Sequence, residues 1–514
     1  MKHIKKSIWK TIAAMVISQG AQCAQGADES IDLRTKPNIL LILADDMGWS
    51  DPGFLGGDIE TPNLDRLARE GSFYPRFYNH AKCEPSRASL LTGVHFHRQT
   101  QDHVVRTVRG VGTIASELKK AGYFTACAGK WHTAGVPTER GFARYFGMLE
   151  GAGNHFDPGR TLGLDPACYL KQEYALDGKP FVPDGKSYYS TDAYTDYAIQ
   201  FLKERQEGKP FFLYLAYRSP HWPLQAPEEV IQKYVDRYTG GWDELRSARA
   251  AHIRQAGVFS PGWKLPPRDP DVCNWADWPK QADAARCMAV HAAMVDRMDQ
   301  QIGRVLDYLK EIGELDNTLI CFTSDNGVSA EMQFDRTPDK PAGAVDSFRV
   351  LPLGFCNAVN TPFVKYKTYN SNGGICSPLI VRWPGRVPSG TVNHRPVNIL
   401  DMMPTFLDVA GTEYSDKLRP LDGRSFLTGD PEVMFFQLEY PGVYQKAVID
   451  WPWKVWFDSS NGWKLFNLEN DPAEADDLAA QNPEKLQQLI SKYETFDRAA
   501  VADQKKFKQT QGKE

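Results

Sequence analysis

Four short runs of apolar residues, each followed at once by polar or charged residues, set the strongest constraint on the fold. The runs lie at Pro37–Ala44, Tyr123–Ala128, Phe211–Tyr217 and Thr318–Thr323. A continuous apolar run of this length is typical of a strand buried on both faces of a parallel sheet. Open α/β sheets bind ligands just outside the carboxyl ends of their strands. The pattern therefore predicts an α/β protein with a site at one edge of its sheet.

Polar groups follow each run at the position where a buried strand would end. They are Asp45-Asp46, Lys130 with His132, His221, and Asp325-Asn326. Two adjacent carboxylates at a strand end cannot both be buried without a cation. Asp45, Asp46, Asp325 and Asn326 offer only hard oxygen ligands, which favours Ca²⁺ or Mg²⁺ over zinc. Taken singly, the acidic pair also fits a helix N-cap, and Lys130 or His132 also fits a solvated loop.

A loop that feeds a short helix is predicted from Cys83 to Gly93. Pro85 fits a first helical turn, where its missing N–H is no loss, and Gly93 fits the helix stop. Cys83 would lie at the positive end of this helix, and Arg87 would add a fixed charge one turn later. This arrangement suits a cysteine-derived nucleophile that attacks an anionic group. An ordinary buried cysteine at the start of a helix is the alternative.

Composition excludes some classes of protein and predicts export. The chain has 514 residues, a formal net charge of −4 and no long basic run, so nothing indicates nucleic-acid binding. Four lysines within Met1–Lys10 precede an apolar stretch and then small residues, as in a secretory signal peptide cleaved near Cys23 to Ala27. A lipoprotein signal that uses Cys23 is poorly matched. No other stretch is long enough to span a membrane, so we expect a periplasmic or secreted protein.

The string Cys83-Glu84-Pro85-Ser86-Arg87, followed by Leu91-Thr92-Gly93, resembles the signature of the type I, formylglycine-dependent, arylsulfatase-like sulfatases. Two further family motifs are matched, Gly-Lys-Trp-His at residues 129–132 and Pro-His-x-Pro at residues 220–223. The resemblance implies an alkaline-phosphatase-like α/β fold, with a large mixed, mostly parallel sheet sandwiched by helices. We expect a signal peptide at residues 1–27, a catalytic domain at 28–421, and a small α+β domain with an antiparallel sheet at 422–514.

The same resemblance implies a modified residue and a metal ion. In the family, the cysteine at the position of Cys83 is oxidised to formylglycine (3-oxoalanine) by a formylglycine-generating or anaerobic sulfatase-maturing enzyme. A single divalent cation, most often Ca²⁺ and less often Mg²⁺, would be coordinated by Asp45, Asp46, Asp325 and Asn326 together with the residue derived from Cys83. One hydroxyl of the hydrated formylglycine would attack the sulfur of a sulfate ester.

Roles for the remaining site residues follow from the resemblance as well. His221 would protonate the leaving oxygen as general acid, and Lys130 and Lys367 would bind the sulfate oxygens. His132 would help the second hydroxyl to lose its proton, so that the aldehyde reforms and sulfate leaves. Arg87 would hold the diol and the carboxylates on the metal side.

Lys367 is the least constrained of these assignments. Sulfatases usually have a lysine six residues before a Gly-Gly pair, and Lys367 has this spacing, with Lys365 as a rival. The chain departs from the common pattern just afterwards. Asn372 stands where glutamate is frequent, and Cys376 stands where arginine is frequent in some branches.

The reaction predicted is the release of inorganic sulfate from a sulfated carbohydrate or an aryl sulfate. A phosphonate or phosphate ester hydrolase of the same fold, and an inactive relative that binds sulfated glycans, are the alternatives. The segment Asp236–Cys287 is predicted to be loop-rich, and it contains Trp242, Trp263, Trp275 and Trp278. These aromatic side chains would either pack on one another or form a rim on which sugar rings stack.

Overall fold

The computed structural model describes residues 36–99, 110–158, 173–184, 188–331, 333, 335–440, 443–460 and 462–511. The predicted signal peptide and Cys23 lie outside these ranges. Within them, no helix combines the length and the apolar composition needed to cross a bilayer. The cysteines of the described part are all free thiols.

One mixed sheet of eleven strands forms the centre of the described chain. Its strands are β1 (Asn38–Asp45), β2 (Ser72–Tyr78), β3 (Phe124–Gly129), β4 (Arg144–Met148), β5 (Tyr174–Leu176), β6 (Lys179–Pro180), β7 (Phe211–Pro220), β8 (Thr318–Ser324), β9 (Cys376–Arg382), β10 (Thr391–Val392) and β11 (Val397–Asn398). Their spatial order is β10-β2-β9-β8-β1-β7-β3-β4-β5-β6, and β11 pairs with β2. The sheet confirms the mostly parallel α/β class that the sequence predicts.

The four predicted strands are neighbours at the centre of this sheet. β8, β1, β7 and β3 lie side by side and run parallel, with Ile39 of β1 opposite Phe212 and Leu319. β2 runs in the same direction, because it is antiparallel to β9 and β9 is antiparallel to β8. The carboxyl ends of all five strands therefore meet at one edge of the sheet, and the segments that follow them converge there.

Helices cover both faces of the sheet. They are α1 (Pro62–Glu70), α2 (Cys83–Thr92), α3 (Phe96–Gln99), α4 (Ile114–Lys120), α5 (Ser190–Glu204), α6 (Glu228–Ile231), α7 (Gly241–Gln255), α8 (Gln281–Glu311), α9 (Leu353–Val359), α10 (Asn372–Ile375), α11 (Met402–Val409) and α12 (Pro483–Gln511). Alternate residues of β1 enter two separate cores: Leu41 packs in the core shared with α2, α4 and α11, and Leu40 in the core shared with α1, α5 and α8. This two-faced burial explains the unbroken apolar runs.

A second sheet lies near the C-terminus, as predicted. Strands β12 (Met434–Tyr440), β13 (Val443–Asp450), β14 (Trp453–Asp458) and β15 (Gly462–Asn467) are antiparallel neighbours in that order. Lys454 of β14 is fully buried and contacts both Glu474 Oε1 (2.6 Å) and Asn372 Oδ1 (2.8 Å). Glu474 Oε2 in turn accepts a hydrogen bond from Asn372 N (2.8 Å). The hydrogen bonds of Asn372 with this buried ion pair connect the second sheet to α10.

Two segments differ in part from their local sequence patterns. The segment Asp236–Cys287, predicted to be loop-rich, is irregular over most of its length but contains the fifteen-residue helix α7. The sequence of Val397–Gly411 taken alone favours one helix, but its first two residues form β11 against β2 and a 3₁₀ turn precedes α11. The pairing of Val397 with Phe77 outweighs its local helical pattern.

Candidate active site

The helix that carries Cys83 presents this residue at the edge where the strands end. α2 begins at Cys83 and ends before Gly93, whose φ of 63° is the left-handed conformation that favours glycine. Ser86 Oγ fixes the preceding loop, because it accepts from His80 N and donates to His80 O (both 3.0 Å). Cys83 is 2% exposed, and burial raises the pKa of its thiol. An unmodified Cys83 would therefore remain a protonated, weakly nucleophilic thiol.

Arg87 connects α2 to two strand ends. Its Nε donates to Asp325 Oδ2 (2.9 Å) and its Nη1 to the carbonyl oxygen of Lys130 (3.0 Å), while Nη2 lies 2.8 Å from Asp325 Oδ2 in an ion pair. Nη2 also lies 3.6 Å from Asp45 Oδ1. All three side chains that carry these charges are fully buried. Arg87 thus fixes the positions of Asp325 and the β3 exit, as a planar guanidinium can and an ammonium cannot.

Each of the two predicted sulfate-binding lysines pairs with a carboxylate of β1. Lys130 Nζ lies 2.7 Å from Asp45 Oδ2, and Lys367 Nζ lies 2.9 Å from Asp46 Oδ1. Burial alone would raise the pKa of Asp45, but the charges of Lys130, His221 and Arg87 hold it well below its usual range. Lys365, the rival of Lys367, points elsewhere and pairs with Asp269 (3.0 Å). The structure therefore brings Lys367, and not Lys365, to the predicted site.

Oxygen atoms at this site fit a cation. Asp45 Oδ1 and Asn326 Oδ1 are buried and have no hydrogen-bond partner among the described residues. Burial raises the pKa of Asp46 and of Asp325, and the negative charge of Asp45 adds to both shifts. Such shifts mean that the carboxylates lack enough positive charge nearby to offset their desolvation. A divalent cation among these oxygens would supply that charge.

His221 follows β7 and faces the acidic pair. Its Nδ1 donates to the carbonyl oxygen of Trp222 (2.7 Å), which leaves Nε2 directed at Asp46 Oδ2, 3.4 Å away. Burial lowers the pKa of His221 to about 4, although the charges of Asp46 and Asp45 oppose the shift. An anionic substrate beside Nε2 would raise this pKa and favour the protonated, proton-donating form.

His132 lies against Cys83. Its Nδ1 is 3.2 Å from Cys83 Sγ, and its φ of 45° turns the chain sharply after β3. Burial lowers the pKa of His132 well below its usual range, and Lys130 and Arg87 lower it further. A neutral imidazole in this position can accept a proton from the residue at position 83. Gly151 packs directly on the imidazole ring.

Glu331 is a site residue that the sequence analysis missed. Its Oε1 lies 2.9 Å from Lys82 Nζ, and its Oε2 lies 3.0 Å from Lys367 Nζ. Burial would raise the pKa of Glu331, but the two lysines outweigh this effect and lower it to about 2. No motif surrounds Glu331, and it lies in an irregular segment after β8. Glu331 lies six residues after Asp325. No feature of the sequence distinguishes it from any other glutamate in a loop.

The remaining sequence-level candidates lie away from this site. Asn372 contacts Lys454 of the second sheet and Glu474 after it, and Cys376 Sγ donates to the carbonyl oxygen of Pro75 within the main sheet. Trp242 is buried and packs against Trp275, Trp278 and Phe355. The tryptophans of Asp236–Cys287 thus pack largely on one another, which was the first of the two predicted alternatives.

Comparison with known families identifies the class of protein. The family model described as sulfatase matches residues 37–412, and the model described as N-sulphoglucosamine sulphohydrolase, C-terminal, matches residues 365–496. The first match covers well over half of the chain, so the protein belongs to the sulfatase family. It is a sulfuric ester hydrolase with an alkaline-phosphatase-like fold.

Individual relatives agree with this assignment. An uncharacterized sulfatase of Schizosaccharomyces pombe is 31% identical over 90% of this chain and 93% of its own length. The arylsulfatase of Klebsiella aerogenes is 31% identical over 81% of this chain and 94% of its own. Among solved structures, Ps i-CgsB in complex with k-i-k-neocarrahexaose is 28% identical, with a TM-score of 0.68 over 90% of this chain and 93% of that one.

The contact between Gly151 and His132 predicts a loss of activity in Gly151→Ala. A Cβ at residue 151 would lie 2.6 Å from His132 Cε1 and 2.7 Å from Nε2, so the imidazole must move. We expect kcat for an aryl sulfate to fall by about 10- to 100-fold, as for other small displacements of a catalytic group. Gly208→Ala is the control, because its φ of 75° imposes backbone strain with nothing within 4 Å of the new Cβ. An unchanged kcat in Gly151→Ala would show that the reaction does not depend on the position of the His132 imidazole.

Proposed function

We propose that this sulfatase releases inorganic sulfate from a sulfated carbohydrate or an aryl sulfate, with formylglycine at position 83 as nucleophile. The observation that carries the proposal is the convergence of Cys83, Lys130, Lys367 and His221 on the carboxylates at the end of β1. A nucleophile position, two buried ammonium groups and a titratable imidazole within one charged edge suit a tetrahedral anion.

The metal ligands in this proposal are Asp45, Asp46, Asp325 and Asn326. Their unpartnered oxygens and the raised pKa values of Asp46 and Asp325 support a divalent cation. An all-oxygen donor set favours Ca²⁺, with Mg²⁺ as the second choice. When bound, the cation supplies Lewis-acid polarisation and lowers the pKa of a hydroxyl that contacts it.

The modification fits the surroundings of Cys83. A hydrated aldehyde supplies two hydroxyl groups on one carbon, whereas the buried, protonated thiol is a poor nucleophile at an anionic ester. The N-terminus of α2 places backbone N–H groups beside position 83, where they favour negative charge. The proposal includes a separate maturing enzyme, either formylglycine-generating or anaerobic sulfatase-maturing. Because Cys83 is nearly inaccessible in the folded protein, this enzyme would act before folding is complete.

Each of the other side chains has a defined task. Lys130 and Lys367 bind and orient the sulfate oxygens, because their ammonium groups are already desolvated and held by carboxylates. His221 donates a proton from Nε2 to the leaving oxygen, since its Nδ1 is engaged with the Trp222 carbonyl. His132 Nδ1 takes a proton from the residue at position 83, and Arg87 holds Asp325 and the β3 exit in place.

Known relatives support the substrate class. The Klebsiella relative is named an arylsulfatase, and the structure of Ps i-CgsB contains an oligosaccharide, k-i-k-neocarrahexaose. The amino-terminal lysines and apolar stretch support export, where polymeric glycans are accessible. We therefore favour a sulfated glycan as the natural substrate and an aryl sulfate as a convenient reporter.

The decisive experiment combines mass spectrometry of the Cys83 peptide with an assay for sulfate release. We expect an aldehyde at position 83 and release of sulfate from 4-nitrophenyl sulfate, and the Cys83→Ala variant should lose at least about 10³-fold in kcat/KM. Cleavage of phosphonate or phosphate monoesters alone would indicate the related ester hydrolase. Binding of a sulfated sugar without turnover, by a protein that carries the aldehyde, would indicate an inactive relative.

The proton donated by His221 should matter most for poor leaving groups. In His221→Gln we expect kcat to fall by about 10³-fold for a sugar sulfate, whose alkoxide needs a proton, within the range typical of general acids. For 4-nitrophenyl sulfate the loss should be about tenfold or less, because nitrophenolate leaves without protonation. Steady-state rates on both substrates test this, and equal losses would contradict general-acid catalysis by His221.

Metal binding predicts a measurable change in stability. Removal of metal with a chelator should lower Tm, and added Ca²⁺ should restore it more effectively than Mg²⁺. Calcium at 100 times its Kd would add about 2.7 kcal/mol to the free energy of unfolding, because only the folded state assembles the ligands. In Asp325→Ala the Ca²⁺-dependent change in Tm, measured by differential scanning calorimetry, should disappear. If Ca²⁺ still raises the Tm of Asp325→Ala, the cation binds at a site that does not include Asp325.

A further inference from the structure

Glu331 joins Lys82 and Lys367, two lysines near Cys83. Lys82 immediately precedes Cys83, and Lys367 contacts Asp46 at the end of β1. One oxygen of Glu331 pairs with Lys82 (2.9 Å) and the other with Lys367 (3.0 Å). The Glu331 side chain is 12% exposed, so this bridge lies at the inner rim of the site rather than in open solvent.

The bridge changes the charge that a bound sulfate would experience. Lys367 has three donors, and its contacts with Asp46 and Glu331 hold its Nζ between two carboxylates. Glu331 also brings Lys82 close to Lys367, although two ammonium groups repel each other without a carboxylate between them. Its negative charge therefore both orients Lys367 and offsets part of the positive potential around the sulfate pocket.

An enzyme that releases a dianion must not bind it too tightly, so negative charge near the binding site helps the product to leave. Clefts lined by one sign of charge concentrate the oppositely charged ligand and slow its departure. Arg87, Lys130 and Lys367 are buried at this edge beside Asp325, Asp45 and Asp46, so with the proposed divalent cation bound the edge would carry a net positive charge. Inorganic sulfate carries more negative charge than the sulfate monoester from which it comes. Without a compensating charge, tight binding of the product would limit turnover.

We propose that Glu331 is a positioning residue that orients Lys367 and Lys82 and weakens the binding of product sulfate, so that the product is released. This inference rests on the proposed sulfate-ester activity and adds a role for a residue outside the family motifs. Glu331 forms its two ion pairs with Lys82 and Lys367, and not with the predicted metal ligands or with Cys83. It acts through the two lysines.

Two variants with opposite expected effects test the proposal. In Glu331→Gln the shape and one hydrogen bond remain but the charge is lost. We expect the Kd of inorganic sulfate, measured by isothermal titration calorimetry on the matured enzyme, to fall by about tenfold, the effect of one unit charge several ångströms away in a partly screened site. KM and kcat should fall together. In Lys82→Met the charge of Glu331 acts on Lys367 alone, and we expect the Kd of sulfate to rise by about threefold or more.

Two further variants separate charge from structure. Glu331→Asp keeps the carboxylate and should keep the Kd of sulfate within about twofold of the wild type. Glu228→Gln removes an exposed carboxylate that pairs with Arg286 on α8, away from the site, and should leave the Kd unchanged. The fraction of formylglycine in each preparation is measured by mass spectrometry, so that binding is compared at equal maturation.

The outcomes are distinct. An unchanged or weaker affinity for sulfate in Glu331→Gln, in a protein whose wild type releases sulfate from esters, overturns the inference while the proposed function stands. If Glu331→Gln does not fold, a Lys82→Met variant that binds sulfate as tightly as the wild type overturns it equally. If the wild type releases no sulfate from any ester, the proposed function fails and the role of Glu331 falls with it.

Discussion

A buried balance of charges at one edge of the sheet is the interaction on which the site depends. Arg87, Lys130 and Lys367 face Asp45, Asp46 and Asp325, and each of these side chains is at most 2% exposed. Charges in such a place are tolerated only when they are paired, and loss of one partner leaves an uncompensated charge that costs several kcal/mol. The strands, α2 and the Lys367 loop must therefore hold their relative positions closely.

Much of this arrangement could be predicted from the sequence because its signals are local. β1, β3, β7 and β8 are buried on both faces, so their apolar runs are unbroken, and parallel strands bring their carboxyl ends together. The residues that follow them lie together at this edge. Cys83 begins α2, and Gly93 adopts the left-handed conformation that its position in the motif predicted.

Other features depend on contacts between segments that are distant in sequence. Glu331 belongs to the site because it pairs with both Lys82 and Lys367. The spacing of these three residues in the sequence does not predict the contact. Val397 pairs with Phe77, more than 300 residues away, and extends where its neighbours favour a helix. The tryptophans near α7 could equally have lined a surface, and only their partners, such as Phe355, show that they pack internally. In each of these cases the structure depends on a contact between residues that are far apart in the sequence.

The buried contact of Lys454 with Glu474 and Asn372 constrains how the two parts of the molecule can be exchanged. The family resemblance led us to expect glutamate at residue 372, and here Asn372 instead contacts the carboxylate of Glu474 from the C-terminal segment. A chimera that combined this C-terminal segment with the main domain of a relative carrying glutamate at that position would bury two carboxylates against one ammonium group. Successful recombination would require the exchange of residue 372 and residue 474 as a single unit.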